Sequence, residues 1–121
     1  MTKASAIYNF WSNFGTAYEE NAVPDDAKFP YITYNVSFSD FGQSVLMEAS
    51  LWDRTPSWVS LNAWAQSISE AIGRGGKIIP CDGGAIWITK EPNFAQPLGV
   101  DDDDMTKRII LAISAEYLTE V

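Results

Sequence analysis

Apolar residues recur at offsets of three and four through the first segment, at Ile7, Phe10, Trp11, Phe14, Ala17 and Tyr18, which predicts an amphipathic helix over about Ala4 to Glu19. Gly15 lies inside that stretch and weakens it by roughly 1 kcal/mol relative to alanine, a deficit that packing has to offset. Residues 21–28 read as a loop, closed by Phe29-Pro30, where proline stops a helix from continuing. The period then changes to two. Ile32, Tyr34, Val36 and Phe38 alternate with Tyr31, Thr33, Asn35 and Ser37. After a short turn at residues 39–43, Val45, Met47, Ala49 and Leu51 alternate with Leu46, Glu48, Ser50 and Trp52. Two alternating runs about one turn make an antiparallel hairpin.

Leu51-Trp52-Asp53-Arg54-Thr55-Pro56-Ser57-Trp58 joins a strand to a helix with little slack. Thr55 offers a hydroxyl N-cap and Pro56 suits the first helical position. Leu61, Trp64, Ala65, Ile68, Ala71 and Ile72 then mark one helical face, and Gly73 stands where a terminating glycine belongs. Short strands at Lys77–Cys81 and at residues 85–90 flank the turn Asp82-Gly83-Gly84, predicting a second hairpin, with Pro80 favouring an edge or a strand end. Glu91 to Met105 has no hydrophobic period, contains Pro92 and Pro97 and carries four consecutive aspartates, so an irregular excursion of about fifteen residues is expected. The last strand runs from about Lys107 to Leu118. Ile109, Leu111, Ile113, Ala115 and Tyr117 face one way; Arg108, Ile110, Ala112, Ser114 and Glu116 face the other, half exposed or covered by something outside the chain. The order α-β-β-α-β-β-β predicts one two-layer α+β domain over residues 1–121, both helices on one face of a mainly antiparallel sheet. The opposite face becomes a candidate for subunit contact.

Composition narrows the function. With 121 residues, 46% of them hydrophobic, the chain can fill a single core. Sixteen acidic against eight basic residues give a net charge of -8, which argues against direct binding of nucleic acid or an anionic membrane. No apolar run approaches 18 residues and polar groups interrupt the N-terminus, so synthesis in the cytoplasm is expected. The single cysteine, Cys81, cannot form an internal disulfide. The absence of histidine removes Ser-His-Asp and Cys-His nucleophile pairs and histidine-ligated zinc.

The remaining candidates are charged or aromatic. Asp101-Asp102-Asp103-Asp104 lacks the alternating donors, glycine and distant glutamate of an EF-hand, and reads as a solvated loop or as an electrostatic contact with a partner subunit. Gly73-Arg74-Gly75-Gly76-Lys77 follows a helix, whereas a phosphate cradle precedes one; a helix stop and turn is expected, with Arg74 and Lys77 as a basic contact patch. Glu48, Asp53, Asp82 and Glu116 show no convergence into an acid-base pair, and Asp53-Arg54 reads as a local ion pair or cap. Trp11, Trp58, Trp64 and Trp87 are expected mostly in the core, while Trp52 shares its side with Glu48 and Ser50 and is a candidate for burial against another subunit.

An ordered set of landmarks carries a resemblance. Phe29-Pro30-Tyr31-Ile32-Thr33-Tyr34, Leu51-Trp52-Asp53-Arg54 before Ser57-Trp58, Ile72-Gly73, Gly84-Ala85-Ile86-Trp87-Ile88, Asn93-Phe94-Ala95-Gln96-Pro97, and Arg108-Ile109-Ile110 leading to Glu116-Tyr117 resemble the tail terminator, or tail-to-head joining, proteins of long-tailed phages and prophages. The resemblance covers about Phe29 to Thr119 and implies an α+β fold with two helices against a sheet. It further implies a non-catalytic virion protein without a cofactor, which assembles as a ring, usually a hexamer, on the finished tail tube. Such a ring stops tube growth and presents a face to the head connector or neck. The contact residues expected for that role are Asp101, Asp102, Asp103, Asp104, Arg74, Lys77 and Trp52. Another neck or tube-associated ring protein is the alternative nearest in kind; a small ligand-binding or hydrolytic α+β domain is the alternative of a different class.

Overall fold

Two helices lie on one face of a six-stranded sheet in the computed structural model, which describes residues 1–100 and 103–119. In chain order the elements are α1 (Lys3–Ser12), β1 (Ala17–Glu19), β2 (Tyr31–Tyr34), β3 (Ser44–Arg54), α2 (Val59–Ile72), β4 (Lys77–Cys81), β5 (Gly84–Val100) and β6 (Asp103–Thr119). The strands lie side by side as β1-β2-β3-β6-β5-β4. Only β1 and β2 run parallel; every other neighbouring pair is antiparallel. The expected two-layer α+β arrangement holds, with one strand more than the predicted order and one parallel pair at the edge of the mainly antiparallel sheet.

The extra strand comes from the end of the predicted first helix. α1 stops at Ser12, and the chain turns at Gly15 into β1. Trp64 of α2 dictates that turn: its indole N–H donates to the Phe14 carbonyl at 2.8 Å, and a Cβ on Gly15 would stand 2.8 Å from its ring. Ala17 and Tyr18 continue the helical spacing only by coincidence. The start of α2 also differs from expectation, because Trp58 occupies the cap position without a side-chain cap bond, while the Ser57 hydroxyl accepts from the Val59 N–H at 3.1 Å. Gly73 ends α2 as expected, at φ 77°, a conformation that costs little without a Cβ.

The hairpin between β2 and β3 forms in the register Ile32 to Leu51 and Tyr34 to Ala49, although β2 ends four residues before the predicted Phe38. The second hairpin, β4 with β5, also forms. The largest departure is the segment Glu91 to Met105. Most of it is strand: β5 and β6 are each 17 residues long and pair antiparallel, with an irregularity between Lys90 and Ala95. Local pattern missed this because β6 supplies the ladder from across the sheet, and backbone pairing needs no hydrophobic alternation of its own.

β6 is central and its inward face is closed to solvent. Ile109, Leu111, Ile113, Ala115 and Tyr117 join Met47, Ala49 and Leu51 of β3 and Ile86 and Ile88 of β5 beneath the helices. The helices contribute Ala6, Ile7, Phe10 and Trp11 from α1 and Leu61, Ala65, Ile68 and Ile72 from α2. α1 touches both β1 and β4, the outermost strands, so the sheet curls around it.

Tyr117 is a polar member of this core. Its hydroxyl donates to the Ser37 carbonyl at 2.6 Å, and burial, reinforced by the neighbouring Cys81, pushes its ionisation up to about 12 from 10.0. A tyrosine with a raised value stabilises the fold fully below its unfolded value and loses that contribution as pH climbs through the folded one. Urea unfolding midpoints should therefore fall between about pH 10 and pH 12. Tyr117→Phe should flatten that slope while lowering stability at neutral pH by about 1 kcal/mol for the lost hydrogen bond. A residual slope is expected from Tyr34, which burial, then Glu19 and Tyr8, push in the same direction.

Candidate interaction surface

The strands' second face carries no layer of helices. β3 places Leu46, Glu48, Ser50 and Trp52 there, and β6 places Arg108, Ile110, Ala112, Ser114, Glu116 and Leu118 beside them. The six β6 residues are half-buried, because neighbouring strands shield them sideways while none of the described residues forms a layer above them. Leu46 is 60% exposed, Ile78 63%, and Trp87 and Leu98 38% each. Ile78 stands opposite Trp87, and Leu98 opposite Arg108, so the exposed apolar side chains run from β3 across to β4 on one continuous face. Trp87 therefore departs from the predicted core position. Its indole N–H donates to the Gly75 carbonyl at 3.0 Å and its ring faces outward.

Trp52 lies on this face as expected, but packs first against its own chain. Its indole N–H donates to the Thr33 hydroxyl at 2.9 Å. Tyr31 stacks on one side, with ring centroids 6.5 Å apart, and the Arg108 guanidinium lies 4.7 Å from the Trp52 centroid. Phe29 extends the column by stacking on Tyr31 at 5.2 Å. Arg108 is fixed further by donating its Nε–H to the Ser50 hydroxyl at 2.9 Å. Alternation placed Trp52 and Arg108 on one face of their own strands; their apposition required the β3–β6 register, which no local pattern encodes.

Of the acidic run, Asp103 and Asp104 begin β6, while Asp101 and Asp102 fall outside the described residues. Asp103 opens β6 and is no free solvated charge. Its carboxylate accepts from the Thr106 hydroxyl at 2.7 Å, the Met105 N–H at 2.9 Å, the Arg54 guanidinium at 2.6 Å and the Thr106 N–H at 3.2 Å. These donors, the Thr106 hydroxyl foremost, hold it well below the usual carboxylate range. Arg54 thus pairs with Asp103, while Asp53 accepts from the Arg54 backbone N–H at 2.8 Å. Asp104 is exposed, and its carbonyl accepts from the buried Lys107 ammonium.

Arg74 and Lys77 sit elsewhere. Arg74 is exposed in the turn after α2, and Lys77 begins β4 opposite Ile88, which in turn faces Ala115. Ala115 is twelve residues along β6 from Asp103, on the order of 40 Å of extended strand. The predicted contact residues therefore fall into three groups: Trp52 on the open face, Asp103 and Asp104 at the hairpin tip, and Arg74 with Lys77 towards the opposite edge.

Glu48 stands opposite Ala112 and Glu116 opposite Ser44, so these acids share a face but not a position, while Asp82 accepts from the Met1 amino group at the far end. Three surface grooves, at the start of α1, between α2 and β5, and between α1 and β4, each contain at most one carboxylate. Among the described residues no group of three or more metal-ligating side chains converges. None of the described helices is long and apolar enough to cross a membrane.

No protein-family model matches the chain, and no curated protein matches it in sequence. Its fold does have a counterpart among solved structures. A chain from the virion of a native gene transfer agent (GTA) particle superposes with a TM-score of 0.64 over 94% of this chain and 92% of the other, at 16% identity. At that identity the likeness establishes a shared fold across nearly the whole length of both chains.

Proposed function

We propose that this chain is a structural subunit of a phage-like virion, forming a ring at the end of the tail tube that terminates tube growth and joins tail to head. The observation that carries the reading is the fold match to a virion chain over 94% of this chain and 92% of the other. The open sheet face adds to it: Leu46, Ile78, Trp87 and Leu98 form an apolar surface suited to burial against another subunit. The role is binding and not catalysis. Rings of this kind close through heterologous contacts, in which one surface of a subunit meets a different surface of the next. The three separated groups of predicted contact residues fit that logic better than a single self-complementary patch.

Electron microscopy of purified protein mixed with tail tubes tests the role. Tubes capped by rings and unable to elongate are expected, with hexamers as the expected stoichiometry. Rings inserted at another level of the tail, with elongation unaffected, would move the assignment to a neck or tube-associated ring protein. Absence of any association with tubes or tail components would refute a virion role.

A further inference from the structure

Arg108 is held like a residue prepared for a partner. The Trp52 ring supports its guanidinium at 4.7 Å and the Ser50 hydroxyl, on a residue only 4% exposed, accepts from Nε at 2.9 Å. Trp52 is itself fixed by its bond to Thr33, and Tyr31 stacks behind it. Yet the two terminal guanidinium nitrogens make no hydrogen bond or ion pair among the described residues. A planar fork with both outer nitrogens available matches a carboxylate in two parallel hydrogen bonds, and its orientation here is already set, so little side-chain entropy remains to be lost. Tryptophan, tyrosine and arginine are also the side chains that most often dominate contact energies at protein interfaces.

Charge complementarity identifies the occupant. The chain carries sixteen acidic residues against eight basic ones, and among the described residues only Asp82 and Asp103 enter an ion pair. A second copy therefore offers many uncommitted carboxylates to Arg108, whose outer nitrogens, unlike the Arg54 guanidinium held by Asp103, have no partner among the described residues. We propose that the Tyr31–Trp52–Arg108 column receives a carboxylate side chain from a second copy of this chain. The inference rests on the ring reading above and specifies where one of its contacts is made.

The test is self-association of the full chain, measured by light scattering and native mass spectrometry over a range of concentration and salt. Wild type should assemble, and its advantage over Arg108→Gln should shrink as sodium chloride rises. Arg108→Gln should weaken association by about thirtyfold or more, as expected for truncating one partner of a shielded charge pair. Arg108→Lys should fall between, since it retains charge but loses the fork. Circular dichroism and melting temperature serve as folding controls, and Arg108→Lys remains interpretable should the glutamine variant fold poorly. Equal assembly of wild type and folded Arg108→Gln would overturn the inference while leaving the ring reading in place. A wild-type chain that stays monomeric throughout would refute a second copy as the occupant, and tube capping, scored separately, would then decide the ring reading alone.

Discussion

Trp11→Ala should lower the stability of the fold by about 4 kcal/mol, within the range measured when a large buried aromatic is truncated in a core that cannot fully collapse. Trp11 is 1% exposed, packs edge to face against Phe10 at 4.8 Å, and sits on the one helix that bridges the outermost strands of the curled sheet. A cavity there weakens both the helix-sheet layer and the curl. Domains of this size are stable by about 5–15 kcal/mol, so the variant would lose a large share of its margin. Its thermal midpoint should drop by roughly 10–20 °C. Denaturant titration followed by circular dichroism provides the measurement; a loss below about 1.5 kcal/mol would mean that α1 is not docked as described.

The second large effect concerns Lys107, which is 7% exposed in the inward-facing series of β6. Its ammonium donates to the Thr55 carbonyl at 2.9 Å and to the Asp104 carbonyl, and lies 5.7 Å from the centre of the Trp58 ring. One buried cation thereby ties the hairpin tip to the joint between β3 and α2. Lys107→Met keeps the aliphatic stem but leaves two carbonyls without their donor, and should cost about 2–3 kcal/mol. Hydrogen exchange should also accelerate locally, at residues 55–58 and 103–106, before the rest of the sheet is affected. Uniform acceleration across the molecule would show that the ammonium contributes only to global stability. The sequence placed Lys107 only at the start of the last strand, and nothing local showed that it would be buried or that two carbonyls would receive it there.

That contrast defines what was readable in the sequence. α2 and its terminating glycine, both hairpins and the two faces of β6 follow from periodicity, because their side chains meet a layer boundary at regular intervals. β1 was hidden, since Ala17 and Tyr18 carry a helical spacing that Trp64 overrides from fifty residues away. The β5–β6 arm was hidden too, because Pro92, Pro97 and the aspartates look like loop while the pairing partner lies in the next strand. At the candidate surface, Trp52 was legible as an outward tryptophan, and the β6 face was legible as half-covered. The apposition of Arg108 and Trp52 was not, because register is a property of two strands and not of one. The partners of Asp103 were illegible for the same reason: its commitments to Arg54 and Thr106 exist only once the hairpin has folded.

The outer side of β5 has a consequence for how large an assembly can grow. β4 covers β5 only from Gly84 to Ile88, and among the described residues no strand lies against its outer side from Lys90 onward. An exposed strand of this length ordinarily invites other chains to add to it without limit. Here Pro92 and Pro97 each remove an N–H, and Asn93, at φ 59°, turns the backbone out of the extended path. An arriving strand would find a ladder with missing rungs. Fibre-like stacking on this stretch of β5 is thus discouraged, which in the ring proposed above would leave neighbouring copies to meet there through side chains, the condition under which copies of one chain close on themselves and stop.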